Sequence, residues 1–191
     1  MTMSKPRFHR QAGSSLLEVM VAIMVMAFGL LGLAGMTASS LQYSKMAQFQ
    51  TIGTQLASSY GDRMRSNVTG FMANNYDMTT AYSSTATAAT VPACGTPAKC
   101  TPAEMAAIDK AEWQNELLRR LPAGGAYVTR DVSGNTLAAD IWVMWADPNM
   151  GTGSDNLSAS TTGGNACPAA ALSGIAAGTQ APKCLYYRVV L

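Results

Sequence analysis

The chain has 191 residues, of which only 13% are charged, and its 13 basic and 11 acidic side chains give a formal net charge of +2. Without Lys5, Arg7 and Arg10 near the amino terminus, 10 basic and 11 acidic residues remain, a charge of −1. This balance does not favour nucleic-acid binding, which needs a strongly basic surface. The single histidine is His9, and the sequence has no nucleophile elbow, phosphate-binding loop or paired metal ligands. We therefore predict a protein that is not an enzyme and has no cofactor.

The amino terminus combines a basic leader with a long apolar run. Gly13 and Ser14 follow the leader, and no Asp, Glu, Lys, Arg or His occurs from 19 to 44. An apolar helix of about 20 residues can cross a bilayer. A secretory signal places its small-residue cleavage site after the apolar run, whereas here the small residue comes first. We therefore predict a cut after Gly13 that leaves the apolar segment in the mature chain and the leader on the cytoplasmic side.

This order resembles the prepilin signal of type IV pilins and of the related secretion pseudopilins. The resemblance implies that a prepilin peptidase cuts after Gly13 and methylates Ser14, a position where the family usually has Phe or Met. It also implies that Glu18 pairs with the amino terminus of a neighbouring subunit during assembly. A carboxylate at the edge of an apolar helix is costly unless it is paired or functional, which agrees with this role. The simpler alternative is that Glu18 faces lipid headgroups.

The apolar run continues into an amphipathic helix. Five apolar residues recur at steps of three or four and therefore share one helix face, which extends to about Ser66: Phe49, Ile52, Leu56, Tyr60 and Met64. We predict one helical stem over residues 14–67, with a membrane or filament-core half at 14–40 and an amphipathic half at 41–67. At its end, Asp62 and Arg65 form an i, i+3 pair, interpreted as a solvated ion pair or as a contact with a neighbouring subunit.

Three glycines, Gly29, Gly32 and Gly35, recur within the apolar half of the stem. Each lowers helix propensity by roughly 0.8–1 kcal/mol relative to Ala. They indicate either close packing between membrane helices through small residues or a segment that can stretch in an assembled filament.

The segment after the stem is predicted as a surface loop over 67–91, because it is polar and lacks a clear period. Thr101, Pro102 and Glu104 then give a capping-box pattern that begins a second helix, which is expected to end near Leu121. Its apolar residues are expected on one side: Met105, Ile108, Trp113, Leu117 and Leu121.

The carboxyl-terminal part is rich in β-branched and aromatic residues. We predict strands at 126–132 and 137–146, joined by a hairpin turn at 133–135, and a third strand at 185–191. Three aromatic residues are interpreted as sheet core against the stem, with ligand stacking as the alternative: Trp142, Trp145 and Tyr187. The stretch 147–182 is predicted as a long functional or variable loop. Asp147, Asn149 and Asp155 in its first part weakly resemble a calcium loop, but only two of them are carboxylates and the acidic residue at the twelfth position is missing.

All four cysteines follow the apolar run, on the side where disulfides form. Four cysteines allow three pairings, and the sequence alone does not choose among them. Loop lengths favour Cys94 with Cys100, across a short turn-rich loop, and Cys167 with Cys184. A zinc site is the alternative, but the spacing lacks a C-x2-C pair and the only His lies in the leader.

Several segments together resemble the minor pilin PilV family, the type IV pilus modification proteins. They are 29–35 at the end of the apolar run, 62–67 at the end of the stem, Trp113 in a helix that ends at Leu121-Pro122, and the strand that begins Cys184-x-Tyr186-Tyr187-Arg188. The resemblance implies an α+β, pilin-like fold, in which the long helical stem packs against a small antiparallel sheet, with a second helix and disulfide-closed loops. Residues 1–13 would be the prepilin leader and 68–191 a globular periplasmic domain.

The implied function is that of a low-abundance pilus subunit. It would leave the inner membrane, join other minor pilins and the major pilin, prime pilus assembly, and sit at the tip beside a large adhesin. Two alternatives share parts of the pattern: a minor pseudopilin of a type II secretion system, and a lone membrane-attached periplasmic protein that needs no prepilin cut.

Overall fold

The computed structural model describes residues 16–94, 99–131, 137–146, 167–175 and 181–191. Two compact units divide the chain after Ser44. Together the described residues form an α+β fold with a long amino-terminal helix, further helices and a small antiparallel sheet. The elements in chain order are α1 (Leu16–Ser66), α2 (Val68–Met72), α3 (Pro102–Arg120), β1 (Gly125–Asp131), β2 (Ala138–Trp145), α4 (Ala169–Leu172) and β3 (Lys183–Val190).

Helix α1 is 51 residues long and contains no proline, so every backbone N–H after its first turn can join the helix. The predicted end at Ser66 is confirmed. The predicted apolar face is confirmed too, since Leu56, Tyr60 and Met64 are at most 1% exposed. Phe49 and Ile52 are partly buried against the same core.

The segment after α1 differs from the predicted surface loop. It contains the short helix α2, and the side-chain oxygen of Asn67 caps that helix by accepting the Gly70 N–H at 3.1 Å. Phe71 on this helix is 1% exposed. Further along, Met78 forms an isolated antiparallel bridge with Val128 of β1. The prediction of a loop without a regular element is therefore wrong at Val68–Met72, because a five-residue helix is too short to show a period.

Helix α3 begins as predicted. Thr101 and Glu104 cap each other's backbone N–H groups in a capping box, with Pro102 in the first turn. Its buried face is only partly the predicted one. Trp113 and Leu117 are fully buried, but Met105 is 37% exposed. Small and polar residues take the remaining inward positions: Ala106, Asp109 and Ala111.

The three predicted strands are confirmed, with bounds shifted by one or two residues. They form one antiparallel sheet in the order β1-β2-β3. The predicted turn at 133–135 lies outside the described residues, and the last described pair before it joins Asp131 to Ala138. Side chains alternate between the two faces of a strand, and one face of the sheet packs with α1 and α3 into the main core.

The opposite face of the sheet bears a second, smaller core cluster. It consists of Tyr82, Met144, Ala171 and Cys184. Ala171 belongs to α4, a four-residue helix inside the stretch that was predicted as one long loop. The part of that loop at 147–166, with the weak calcium pattern, lies outside the described residues.

Candidate functional site

The segment 16–44 of α1 is apolar and exposed on every side. Its large side chains keep roughly half to four fifths of their surface accessible, from 48% for Val19 to 79% for Leu16. An ordinary surface helix exposes a polar face and buries an apolar stripe. A helix that is apolar all round instead needs lipid or other helices as its surroundings.

Among the described residues, α1 is the one helix that is long and apolar enough to cross a membrane, by length and composition. Glu18 lies in its first turn and is exposed. A carboxylate in this turn interacts favourably with the partial positive charge of the helix amino terminus. The predicted processing residues Gly13 and Ser14 lie outside the described residues.

Two hydroxyl groups in this segment bond to carbonyl groups of the helix itself. The Thr37 hydroxyl donates to the Ala34 carbonyl at 2.9 Å, and the Ser39 hydroxyl donates to the Gly35 carbonyl at 3.2 Å. Such bonds remove the cost of exposing a hydroxyl to hydrocarbon. Around Gly29, Gly32 and Gly35, an added Cβ would meet nothing within 4 Å. These residues thus offer a smooth surface that another helix can approach closely.

The other half of α1 carries a polar network that joins it to α3. One Arg63 nitrogen donates to Asp109 at 2.9 Å and to Glu112 at 2.8 Å. Asp109 is 8% exposed and is the only charged residue among the buried ones that the structure describes. A buried carboxylate requires such a partner, because an uncompensated charge in the interior costs several kcal/mol.

Two tyrosines extend this network. The Tyr76 hydroxyl donates to Asp109 at 2.6 Å, and the Tyr60 hydroxyl donates to the Tyr76 carbonyl at 2.8 Å. Asn67 donates to Tyr76 Oη at 3.1 Å and to the Pro102 carbonyl at 2.7 Å. Burial is the largest cause that raises the pKa of Tyr60 and of Tyr76, and for Tyr76 the bond to Asp109 adds to it. Both hydroxyls therefore stay protonated donors at neutral pH.

An aromatic contact supports the same junction between α1 and α3. The rings of Tyr60 and Trp113 are stacked with centroids 4.0 Å apart. Trp113 Nε1 donates to the Leu56 carbonyl at 2.8 Å. The buried indole thus has its hydrogen-bond partner. The sequence predicts Trp113 on the apolar face of α3 but not the network, whose only local signal is a charged residue, Asp109, on that otherwise apolar face.

The predicted ion pair at the end of α1 is present. Arg65 donates to Asp62 at 2.8 Å, and both side chains are largely exposed. Arg65 also donates to the Val190 carbonyl of β3 at 3.0 Å. Arg65 thus links α1 to β3 as well as to Asp62, and the predicted contact of the pair with a neighbouring subunit stays a prediction.

The sheet aromatics divide between the two faces. Trp145 is 2% exposed and, with Tyr187, belongs to the stem-facing core, as predicted. Trp142 lies on the opposite face between Tyr127 and Tyr186, with centroids at 6.1 and 5.2 Å. The interpretation of Trp142 as stem-facing core is therefore wrong, because alternate residues of a strand point to opposite sides.

The structure pairs Cys94 with Cys100 and Cys167 with Cys184, the pairing that loop lengths favour. No cysteine remains for a metal. In the described part of the chain, no group of three or more His, Cys, Asp or Glu side chains converges as metal ligands would.

Comparison with known families gives one match. Residues 8–34 match the prokaryotic N-terminal methylation motif. The matched range contains Gly13, Ser14 and Glu18 together with most of the exposed apolar segment. This match supports a type IV pilin-like protein, and such a motif points to a structural subunit rather than an enzyme. No curated protein and no solved structure matches the chain.

Proposed function

We propose that this protein is a minor pilin of the PilV type, a non-catalytic subunit that joins other minor pilins, primes pilus assembly and sits at the pilus tip beside an adhesin. The observation that carries the proposal is an apolar helix exposed on all sides, with Glu18 in its first turn, inside a methylation motif. A surface of this kind suits lipid before assembly and neighbouring stems afterwards. The prepilin peptidase and the major pilin are the further partners.

Glu18 has the central role in this proposal. After a cut at Gly13, the new amino terminus of an incoming subunit carries a positive charge. In an apolar surrounding, an ion pair between this group and a carboxylate is much stronger than in water. It would therefore set the axial position of one stem against the next.

The decisive experiment replaces the only copy of the gene with Glu18→Ala. Insertion of the apolar helix into the membrane should be unaffected or easier, because removing a charge at the membrane edge lowers the free energy of insertion by up to about 3 kcal/mol. We expect a processed, stable, membrane-bound protein and a clear loss of surface pili by electron microscopy. Glu18→Asp keeps the carboxylate and should retain part of the piliation. Glu116→Ala, which removes a carboxylate that pairs with Arg120 on α3, is the matched control.

Piliation at the wild-type level with Glu18→Ala would contradict the role of this carboxylate. Secreted enzymes are scored in the same strains. Their loss while pili remain intact would assign the protein to the minor pseudopilins of a type II secretion system, which the methylation motif fits equally well.

A second prediction concerns processing. The mature protein should begin at Ser14 and keep residues 16–44, because the small residue precedes the apolar run. Mass spectrometry of the membrane-bound protein measures both the cut and the methyl group. A bulky residue in place of Gly13 should block cleavage, and Gly13→Ala should only slow it. A mature chain that starts beyond residue 35 would indicate an ordinary secretory signal instead.

A further inference from the structure

A cavity of about 600 Å³ lies between the segment 77–92, helix α3 and the start of β1. Its volume falls within the range of about 300–1,000 Å³ that is typical of binding sites. Small side chains with hydroxyl or methyl groups form much of its wall, among them Thr79, Thr80, Ser83 and Ala107. Neither the polar network nor the apolar segment of α1 uses this space.

The cavity exposes part of the free edge of β1. Val128 exchanges two backbone bonds with Met78, at 3.0 and 2.8 Å, on the side away from β2. Residues two apart on a strand direct their backbone groups to the same side, so Ala126 and Arg130 share this edge. The Arg130 N–H donates to Asp77 at 3.1 Å. Ala126 lines the cavity, and no backbone or side-chain group of the described residues bonds to it on this side.

The edge is open because the chain leaves β1 directly after the bridge at Met78. The Tyr82 N–H donates instead to the Ala171 carbonyl at 2.8 Å, and its hydroxyl donates to the Ala123 carbonyl at 2.9 Å. These two bonds direct the chain at Tyr82 toward α4 and the residues that precede β1. An unpaired strand edge with space beside it is the feature to which extended peptides add.

The charges in the cavity favour a ligand with a carboxylate. Asp77 and Lys110 are the two charged residues in its lining. Asp77 accepts the Arg130 N–H, and the positive charges of Arg130 and Lys110 both act on it. In the described part of the chain, no hydrogen bond or ion pair engages the side chain of Lys110, although its charge acts on Asp77. Its ammonium group is thus available to a negative group that enters the cavity.

The lining disfavours a saccharide as the occupant. Sugar sites commonly present an aromatic face, and the only aromatic residue in this lining is Tyr82. Its ring is 6% exposed and its hydroxyl is bonded to Ala123, so it offers no free face for stacking.

We propose that this cavity receives an extended segment of a partner protein, which pairs with Ala126 as an added strand and places a carboxylate near Lys110. Backbone hydrogen bonds to Ala126 would orient the partner segment along β1. The small side chains of the cavity wall leave room for every second side chain of that segment. The inference goes beyond the filament role of Glu18, because the cavity lies entirely within the unit after Ser44 and contains no residue of the methylation motif.

The test is photo-crosslinking of the full-length protein in its own cells. A diazirine-bearing amino acid is placed at Thr87, which lines the cavity and is exposed, and as the matched control at Thr69, which is exposed but outside the cavity. The crosslinked products are digested and sequenced by mass spectrometry. We expect Thr87 to attach to one defined protein segment that contains an acidic residue or a free carboxyl end, at least tenfold more than Thr69 does.

Variants of two cavity residues show whether the crosslink at Thr87 depends on the backbone edge at Ala126 and on the positive charge of Lys110. Ala126→Pro removes the N–H and is tolerated on a free strand edge, whereas Ala126→Ser keeps it. The crosslink at Thr87 should be lost with Ala126→Pro and kept with Ala126→Ser. Lys110→Glu reverses the charge on α3 without touching β1, and should also abolish it, so the test remains decisive if the proline variant does not fold.

Four outcomes would overturn the proposal. They are an adduct with a saccharide, an adduct that survives both Ala126→Pro and Lys110→Glu, equal capture at Thr87 and Thr69, or no adduct at Thr87. Piliation of the Glu18→Ala strain tests the filament role separately, so the two proposals can fail independently.

Discussion

The two halves of α1 have the same backbone conformation but opposite relations to the rest of the chain. Residues 16–44 expose apolar side chains in every direction, whereas from Gly53 to Met64 one face is buried against the sheet and α3. Hydroxyl groups bond within the helix in both halves, as Thr37 and Thr54 do, but in the second half Arg63 also bonds to a carboxylate on another element. The distribution of apolar side chains around a helix thus indicates what the helix packs against. The second half packs against this chain, whereas the apolar side chains of the first half remain exposed.

The largest effect is expected from breaking the polar network of the second half. Asp109→Ala leaves Arg63 and the Tyr76 hydroxyl without their buried partner, so we expect the unfolding free energy of the unit 45–191 to fall by about 2–4 kcal/mol. Denaturant unfolding followed by tryptophan fluorescence measures this. Glu112→Ala is the matched control, because Glu112 binds the same Arg63 but is 47% exposed, and an exposed pair contributes about 0–1 kcal/mol. If the two variants lower the unfolding free energy equally, the burial of Asp109 does not explain its contribution to stability.

A smaller effect should separate two glycines on the buried face of α1. A Cβ at Gly61 would lie 2.8 Å from Cγ2 of Val189, a β-branched residue that is 2% exposed. Overpacking of this kind costs about 1–3 kcal/mol, partly offset by about 1 kcal/mol of helix propensity. Gly61→Ala should therefore lower the unfolding free energy by about 1 kcal/mol.

Gly53→Ala is the control for this prediction. Its nearest contact, at 3.0 Å, is Cδ2 of Leu185, the mobile end of a flexible side chain. This variant should be neutral or slightly stabilising in the same denaturant experiment. If both variants change the unfolding free energy equally, the close approach of α1 to β3 is not the reason why position 61 requires glycine.

The smallest effect is expected in the exposed half. Around Gly32 there is open space within 4 Å, so Gly32→Ala should not change the unfolding free energy of the unit 45–191. It should instead strengthen the helix locally by about 0.8–1 kcal/mol. Amide hydrogen exchange in detergent micelles should become about fourfold slower around residues 29–35. A loss of stability after Gly32→Ala would contradict the open surroundings of this glycine.

Elements with a strong local signal could be predicted from the sequence. A long run without proline gives α1, Thr101 and Glu104 give the start of α3, and alternation of side chains gives all three strands. The same holds for the amino-terminal candidate site, because a basic leader, Gly13, Glu18 and the apolar run are neighbours in the sequence and match a family motif over 8–34.

Features that depend on distant residues could not be predicted. Asp109 is buried because Arg63 and Tyr76 reach it from 46 and 33 residues away, and no window of the sequence contains all three. This carboxylate occupies an inward position on α3, which is why the predicted apolar face was partly wrong. Helices α2 and α4, with five and four residues, are shorter than the span over which a helical period can be recognised.

The contact between Arg65 and the Val190 carbonyl joins residues that are 125 positions apart. A ribosome adds residues in order, so Gly61 of α1 is made long before Val189 of β3, against which it packs. Contacts across such long sequence separations form slowly, and an uncovered apolar face is prone to aggregation in the meantime. This side of α1 is therefore completed only once β3 has been made.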